Sequence, residues 1–213
     1  MAMKKYPGAK PPDTKSLKTL EAAAEKCRGC DLYKNATQVV FGDGSAKAQV
    51  LIVGEQPGDK EDQQGLPFVG PAGELLRHCL EEAGLSSKDI YLTNAVKHFK
   101  WIATPGKARL HQKPNRAEMN ACRPWLEKQT EAIKPKIIVA LGATAAQSVL
   151  GRAVAITKER GAILPESTLG KPVVISWHPS AILRSIDRED SAQKRAQLVK
   201  DLKLAAKFLK LKD

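Results

Sequence analysis

Four runs of consecutive apolar residues punctuate the chain, at 49–54, 90–96, 136–142 and 172–177. Each is continuous rather than alternating, the pattern of a strand covered on both faces. Between and after them the spacing switches to the helical period over roughly 71–83, 116–133, 143–150 and 190–210. In the first of these stretches Leu75, Leu76, Cys79, Leu80 and Ala83 fall on one face. In the last, Leu198, Leu202, Ala205 and Leu209 share a face, while Lys194, Arg195, Lys200, Lys203, Lys207 and Lys210 occupy the rest. That helix is expected to dock on the core with its lysines in solvent rather than to contact DNA. Ser16 or Thr14 predicts the cap of an earlier helix reaching about Lys26, with Leu17, Leu20 and Ala24 inside. Strands alternating with helices predict an α/β fold, a single domain with a central four-stranded parallel sheet flanked by helices. In such a sheet ligands gather at the carboxyl ends of the strands. Residues 1–14, basic and rich in proline, read as a disordered tail ahead of a domain spanning 15–213. No internal repeat divides the chain.

Composition narrows the function. A hydrophobic fraction of 42% over 213 residues supports a real core and excludes wholesale disorder. The net charge of +12 and pI near 9.6 point to a polyanionic partner, nucleic acid first, with solubility alone as the plain alternative. No apolar run is long enough to span a membrane, and the first fifteen residues lack the apolar segment of a secretory signal. Four cysteines with one close pair do not make a secreted disulfide framework. A monomer in a reducing cytoplasm is the expectation.

The cysteines have a metal-site spacing instead. Cys27-Arg28-Gly29-Cys30 is a paired clip, and Cys122 is a distant third sulfur. Cys79, on its apolar helix face, reads as a small buried hydrophobe. His98, just past the second strand, is the better fourth ligand, giving Cys27, Cys30, His98 and Cys122. Three cysteines and a histidine also suit tetrahedral zinc, so the donor set leaves the metal open.

Three strand ends carry further chemistry. The first opens into a shaped loop, Gly54-Glu55-Gln56-Pro57-Gly58-Asp59, continuing through Gly65-Leu66-Pro67-Phe68-Val69-Gly70-Pro71-Ala72-Gly73. It matches neither a dinucleotide fingerprint nor a Walker loop. Glu55 should point into the crevice, and Phe68 could offer a flat face to a planar ligand. Asn94 ends the second strand with an amide that donates and accepts at once, suited to a nucleobase edge. The fourth strand ends at His178-Pro179-Ser180. One sheet edge thus collects Glu55, Asn94 and His178.

These motifs resemble the uracil-DNA glycosylase superfamily over about residues 17–208. The cysteine clip with Cys122 is similar to the iron–sulfur branch, family 4, which usually has a cysteine where this chain has His98. Gln56 and His98 resemble the UdgX group, which captures abasic DNA covalently. That group carries a basic insertion ending in histidine, typically Lys-Arg-Arg-Ile-His; the matching stretch here is Lys107-Ala108-Arg109-Leu110-His111.

The resemblance implies a [4Fe–4S] cluster rather than zinc, and uracil-containing DNA, single-stranded or with the base flipped out, as partner. Phe68 would stack on the uracil and Asn94 would read its amide edge and reject cytosine. His178 would donate to the oxygen where charge develops. Gln56, Gly58 and Asp59 complete the implied uracil-binding set. Leu183 would wedge into the base stack beside a phosphate contact from Arg184, and Lys107, Arg109 and Lys113 would bind phosphate. His111 would attack C1′ of the deoxyribose, with Glu55 holding its ring. The alternatives are a turnover enzyme in which water attacks and His111 only positions DNA, or a non-catalytic, metal-bearing nucleic-acid binding module.

Overall fold

The computed structural model describes residues 5–103 and 109–211. Its strands are β1 (Asp43–Gly44), β2 (Val50–Gly54), β3 (Ile90–Asn94), β4 (Trp101–Ile102), β5 (Leu110–His111), β6 (Ile137–Leu141), β7 (Ile163–Leu164) and β8 (Val173–Ser176). Its helices are α1 (Leu17–Ala24), α2 (Asp59–Gln64), α3 (Pro71–Glu82), α4 (Arg116–Ile133), α5 (Gly142–Leu150), α6 (Ile156–Glu159), α7 (Pro179–Leu183) and α8 (Arg188–Lys210).

The main sheet runs β1-β3-β2-β6-β8-β7. Its four central strands are parallel, as the continuous apolar runs require. The two-residue strands β1 and β7 are added antiparallel at the edges. Every residue of β2, β6 and β8 is buried. One face packs Val50, Ile52, Ile137 and Val139 against Leu76 and Leu80 of α3 and Leu198, Leu202 and Ala205 of α8. The other packs Leu51, Val53, Ile138 and Ala140 against Ala145, Ala146 and Val149 of α5 and Leu126 of α4. The lysine-rich α8 therefore docks by the apolar face its sequence marks.

Local chemistry sets the ends. The Asn115 amide oxygen accepts from the Glu118 N–H at 2.9 Å while the Glu118 carboxylate accepts from the Asn115 N–H at 2.7 Å, which starts α4 at Arg116. Ser16 accepts from the Thr19 N–H at the start of α1, which stops at Ala24 rather than Lys26. β3 closes at Asn94, inside the apolar run that continues to residue 96. There the Ala95 and Val96 amides turn to the carbonyls of Gly54 and Glu55. Pro179–Leu183 forms a short helix because His178 caps it and Pro179 fills its first position.

Residues 5–14, expected to be a disordered tail, form no helix or strand but are fastened to the cysteine clip. The Gly8 N–H donates to Gly29 O at 3.1 Å and the Ala9 N–H to Ala121 O at 2.7 Å, and Tyr6 and Ala9 pack on the cluster around Cys30 and Cys122. A Cβ on Gly29 would lie 2.6 Å from Ala9 N, so only glycine allows this approach. Among the described residues no helix is long and apolar enough to cross a membrane.

Candidate active site

The carboxyl edge of the sheet opens into a cavity of about 420 Å³. Its floor depends on a missing side chain. Gly54 pairs with Asn94 across β2 and β3. A Cβ on Gly54 would lie 2.3 Å from Asn94 Oδ1 and 2.7 Å from Phe68 Cζ. Phe68 adopts φ 55°, a left-handed backbone unusual for an aromatic residue. The surroundings hold it there. The Arg77 Nη1 donates to Phe68 O at 3.0 Å, and Gly73 leaves room for that carbonyl, which a Cβ would meet at 1.7 Å. Glu61 closes the loop by accepting from the Gly58 N–H at 3.1 Å and the Gly70 N–H at 2.7 Å.

Asn94 is buried, and its carbonyl accepts from Lys97 Nζ at 2.8 Å. That ammonium, fully buried, also donates to Thr93 Oγ1 and Gln129 Oε1, each at 2.6 Å. Burial pulls Lys97 down to about 7. His178 Nδ1 accepts from the Ser180 N–H at 3.2 Å and lies 2.8 Å from Ser180 Oγ, which leaves Nε2 for the cavity. The imidazole stacks near Phe68, with ring centroids 6.1 Å apart. Burial, reinforced by Arg184 and His111, pulls His178 down to about 4, so it is neutral near pH 7.

Glu55 has its two oxygens divided. Thr144 Oγ1, buried in the first turn of α5, donates to Oε2 at 2.5 Å. The other, Oε1, lies 3.4 Å from His111 Nε2. His111 sits on the antiparallel β4–β5 pair, opposite Trp101. Burial lowers its basicity, helped by the Arg184 cation and opposed by Glu55. A neutral imidazole is nucleophilic through its unprotonated nitrogen, and a fixed carboxylate oxygen beside it can orient the ring and stabilise the positive charge that forms.

The model of the uracil DNA glycosylase superfamily matches residues 41–203. A type-4 uracil-DNA glycosylase of Thermotoga maritima is 39% identical over 91% of this chain and 95% of its own. One of Archaeoglobus fulgidus is 37% identical over 79% of this chain and 83% of its own. This chain belongs to the uracil-DNA glycosylase superfamily.

Glu55, Gln56, Gly58, Phe68, Asn94, His111, Lys113, His178 and Arg184 all line this cavity of the glycosylase-family chain. Leu183 stands half exposed beside it, and Ile186, which the sequence did not single out, is almost wholly exposed on the same turn. Asp59 is not in the cavity. Its carboxylate is taken by Arg109 Nε at 2.5 Å and Gln63 Nε2 at 2.6 Å. Arg109, expected on phosphate, is turned inward to Asp59 and Asp62. Gln56 reaches the cavity wall, but its side-chain amide is spent on the carbonyls of Lys100 and Gln112. Lys107 lies outside the described residues. Thr144 escaped the sequence reading because a threonine in a helix of small residues carries no signal until the fold sets it against Glu55.

Cys27, Cys30 and Cys122 gather in one apolar cluster with Leu20, Val96 and Trp125, whereas Cys79 is in the main core. Trp125 Nε1 donates to Cys27 Sγ and the Lys97 N–H to Cys122 Sγ, both at 3.3 Å. His98, the next residue after Lys97, is buried. Among the described residues no group of three or more His, Cys, Asp or Glu is placed to hold one metal ion. Cysteine sulfurs that receive N–H bonds in an apolar shell are donors of the kind an iron–sulfur cluster takes.

The low basicity of His178 has a stability consequence. Between about pH 6.5 and pH 4 the unfolded chain binds a proton that the native ring refuses, so acidification through this window destabilises the fold. Denaturant unfolding across that range should lose part of its pH slope in His178→Asn; an unchanged slope would contradict the assignment.

Proposed function

We propose that this protein excises uracil from DNA. The observation that carries the reading is the convergence of Glu55, Phe68, Asn94 and His178 on one cavity at the carboxyl edge of the sheet. The type-4 names of its relatives support the same activity. A flipped uracil stacks on Phe68. The Asn94 amide accepts from N3–H and donates to O4, a pattern cytosine reverses. The C1′–N1 bond breaks with its electron pair leaving on the base, and His178 Nε2–H donates to the uracil oxygen that takes up the charge. Water, deprotonated by Glu55, then completes the sugar, and the product is an abasic site. Thr144 keeps the carboxylate aimed by occupying its second oxygen. The wedge is Leu183, with Arg184 and Lys113 near phosphate.

A specific observation favours a second outcome at the same centre: His111 Nε2 stands 3.4 Å from Glu55 Oε1. In this reading the neutral ring carries its proton on Nδ1, the Nε2 lone pair closes on C1′ as uracil leaves with the C1′–N1 pair, and the imidazolium formed beside Glu55 then loses its Nδ1 proton to solvent. The chain is then joined to the deoxyribose through His111, and each molecule acts once. The resemblance of the insertion to the UdgX group supports this outcome, and the type-4 relatives support turnover.

A [4Fe–4S] cluster is proposed at Cys27, Cys30, His98 and Cys122, supported by the gathered sulfurs and their N–H donors. It would tie the N-terminal segment to α4.

Uracil-containing single-stranded DNA separates the two outcomes. Capture gives a heat-stable shifted band on a denaturing gel that His111→Ser abolishes; turnover gives abasic product in excess of protein. Neither product under any condition would reject the glycosylase reading. Thr144→Val should slow uracil release by about tenfold and Thr144→Ser should recover most of it, following the value of one hydrogen bond to a charged group; equal rates would remove Thr144 from the site. Purified protein should show broad visible absorption that Cys122→Ser loses, and colourless protein carrying zinc would refute the cluster.

A further inference from the structure

The insertion that carries His111 is basic in sequence, yet its described arginine does not face outward. Arg109 Nε reaches Asp59 Oδ1 at 2.5 Å and Nη1 reaches Asp62 Oδ2 at 2.6 Å. Nη1 also lies 3.1 Å from Thr37 Oγ1, and Nη2 lies 3.4 Å from Asp59 O. Asp62 is fully buried and also accepts from the Thr37 N–H at 3.0 Å. The guanidinium lies 5.4 Å from the ring centroids of both Phe99 and Trp101. All three nitrogens are engaged and two carboxylates outweigh the single positive charge, so no donor fork is left for phosphate.

The other end of the same hairpin is held by Gln56. Its Nε2 donates to Lys100 O at 3.1 Å and Gln112 O at 3.2 Å, and its Oε1 accepts from the Lys100 N–H at 3.3 Å. Arg109 thus fastens the chain two residues before His111, and Gln56 fastens it one residue after. Trp101, one of the rings flanking Arg109, is also the strand partner of His111, and the other, Phe99, has its ring 6.1 Å from the His111 ring.

We propose that Arg109, seated between Asp59 and Asp62, is a positioning residue that with Gln56 holds the His111 hairpin at the cavity mouth, and that it makes no phosphate contact. The proposal rests on the capture reading for its chemical readout, but the clamp itself is a property of the free protein. A lysine keeps the charge of Arg109 but cannot bridge two separated carboxylates with a planar fork. Charge and clamp are therefore separable.

The experiment compares wild type with Arg109→Lys and Arg109→Gln in three readouts. The clamp predicts that both variants slow formation of the His111–DNA adduct alike, by about a hundredfold, the scale of a misplaced reacting group. It predicts that affinity for single-stranded DNA and its dependence on salt stay at wild-type values. It also predicts faster hydrogen exchange at Gln112 and along the β4–β5 pair, with α8 still protected as the folding control. A phosphate contact gives the opposite pattern: Arg109→Gln weakens binding and lowers the salt slope by about one contact, while Arg109→Lys stays near wild type. That pattern, or an unchanged hairpin exchange rate in both variants, overturns the proposal. If the wild type forms no adduct, the capture reading fails, and hydrogen exchange still decides the clamp. Should both variants unfold, Asp59→Asn, at a partly exposed carboxylate, loosens one arm and must speed hairpin exchange; no change there overturns the proposal.

Discussion

A bare backbone at Gly54 is the constraint on which the site rests. Parallel pairing brings the ends of β2 and β3 level, so Gly54 faces Asn94 and the chain turns at once into Glu55. A single methyl at that position would strike both the Asn94 amide and the Phe68 ring. The stacking face and the hydrogen-bonding edge can therefore meet only because the strand ends in glycine. Phe68 in turn holds a left-handed backbone, a cost of order 1–3 kcal/mol that Gly73 and Arg77 help to offset. The pocket is thus shaped before any ligand arrives, as preorganised electrostatic sites require.

Two buried polar connections link this pocket to its surroundings. Thr144 joins Glu55 to the first turn of α5, so the third strand–helix crossing fixes a carboxylate delivered by the first. Lys97 joins Asn94 to the cysteine cluster. Its ammonium is bonded to the Asn94 carbonyl, and its own amide to Cys122 Sγ. The loop that carries His98 is therefore mechanically continuous with Asn94 at the cavity floor.

The fold was legible in the sequence because buried parallel strands leave continuous apolar runs and their helices leave a 3.6-residue stripe. The run at 136–142 became β6 and the stretch at 116–133 became α4 almost to the residue. Glu55, Asn94 and His178 were legible for the same reason, since each follows a strand whose polarity the crossover connections fix. What escaped depends on partners distant in sequence. Arg109 read as a phosphate ligand because its loop is basic, and only the fold sets it against carboxylates some fifty residues away. Gln56 and Asp59 entered the uracil-binding set only through the family resemblance, and their side chains are bonded to the hairpin that carries His111. The short helix α2 has no apolar periodicity to announce it, and the N-terminal segment is ordered by backbone bonds that composition does not reveal.

The most direct test of the central claim is a crystal structure with a single-stranded oligonucleotide containing uracil, or with free uracil where cleavage intervenes. The account predicts the pyrimidine lying on the Phe68 ring, its N3 and O4 edge on the Asn94 amide and an oxygen within hydrogen-bond distance of His178 Nε2. A base bound elsewhere, or seated with its edge turned away from Asn94, would contradict it.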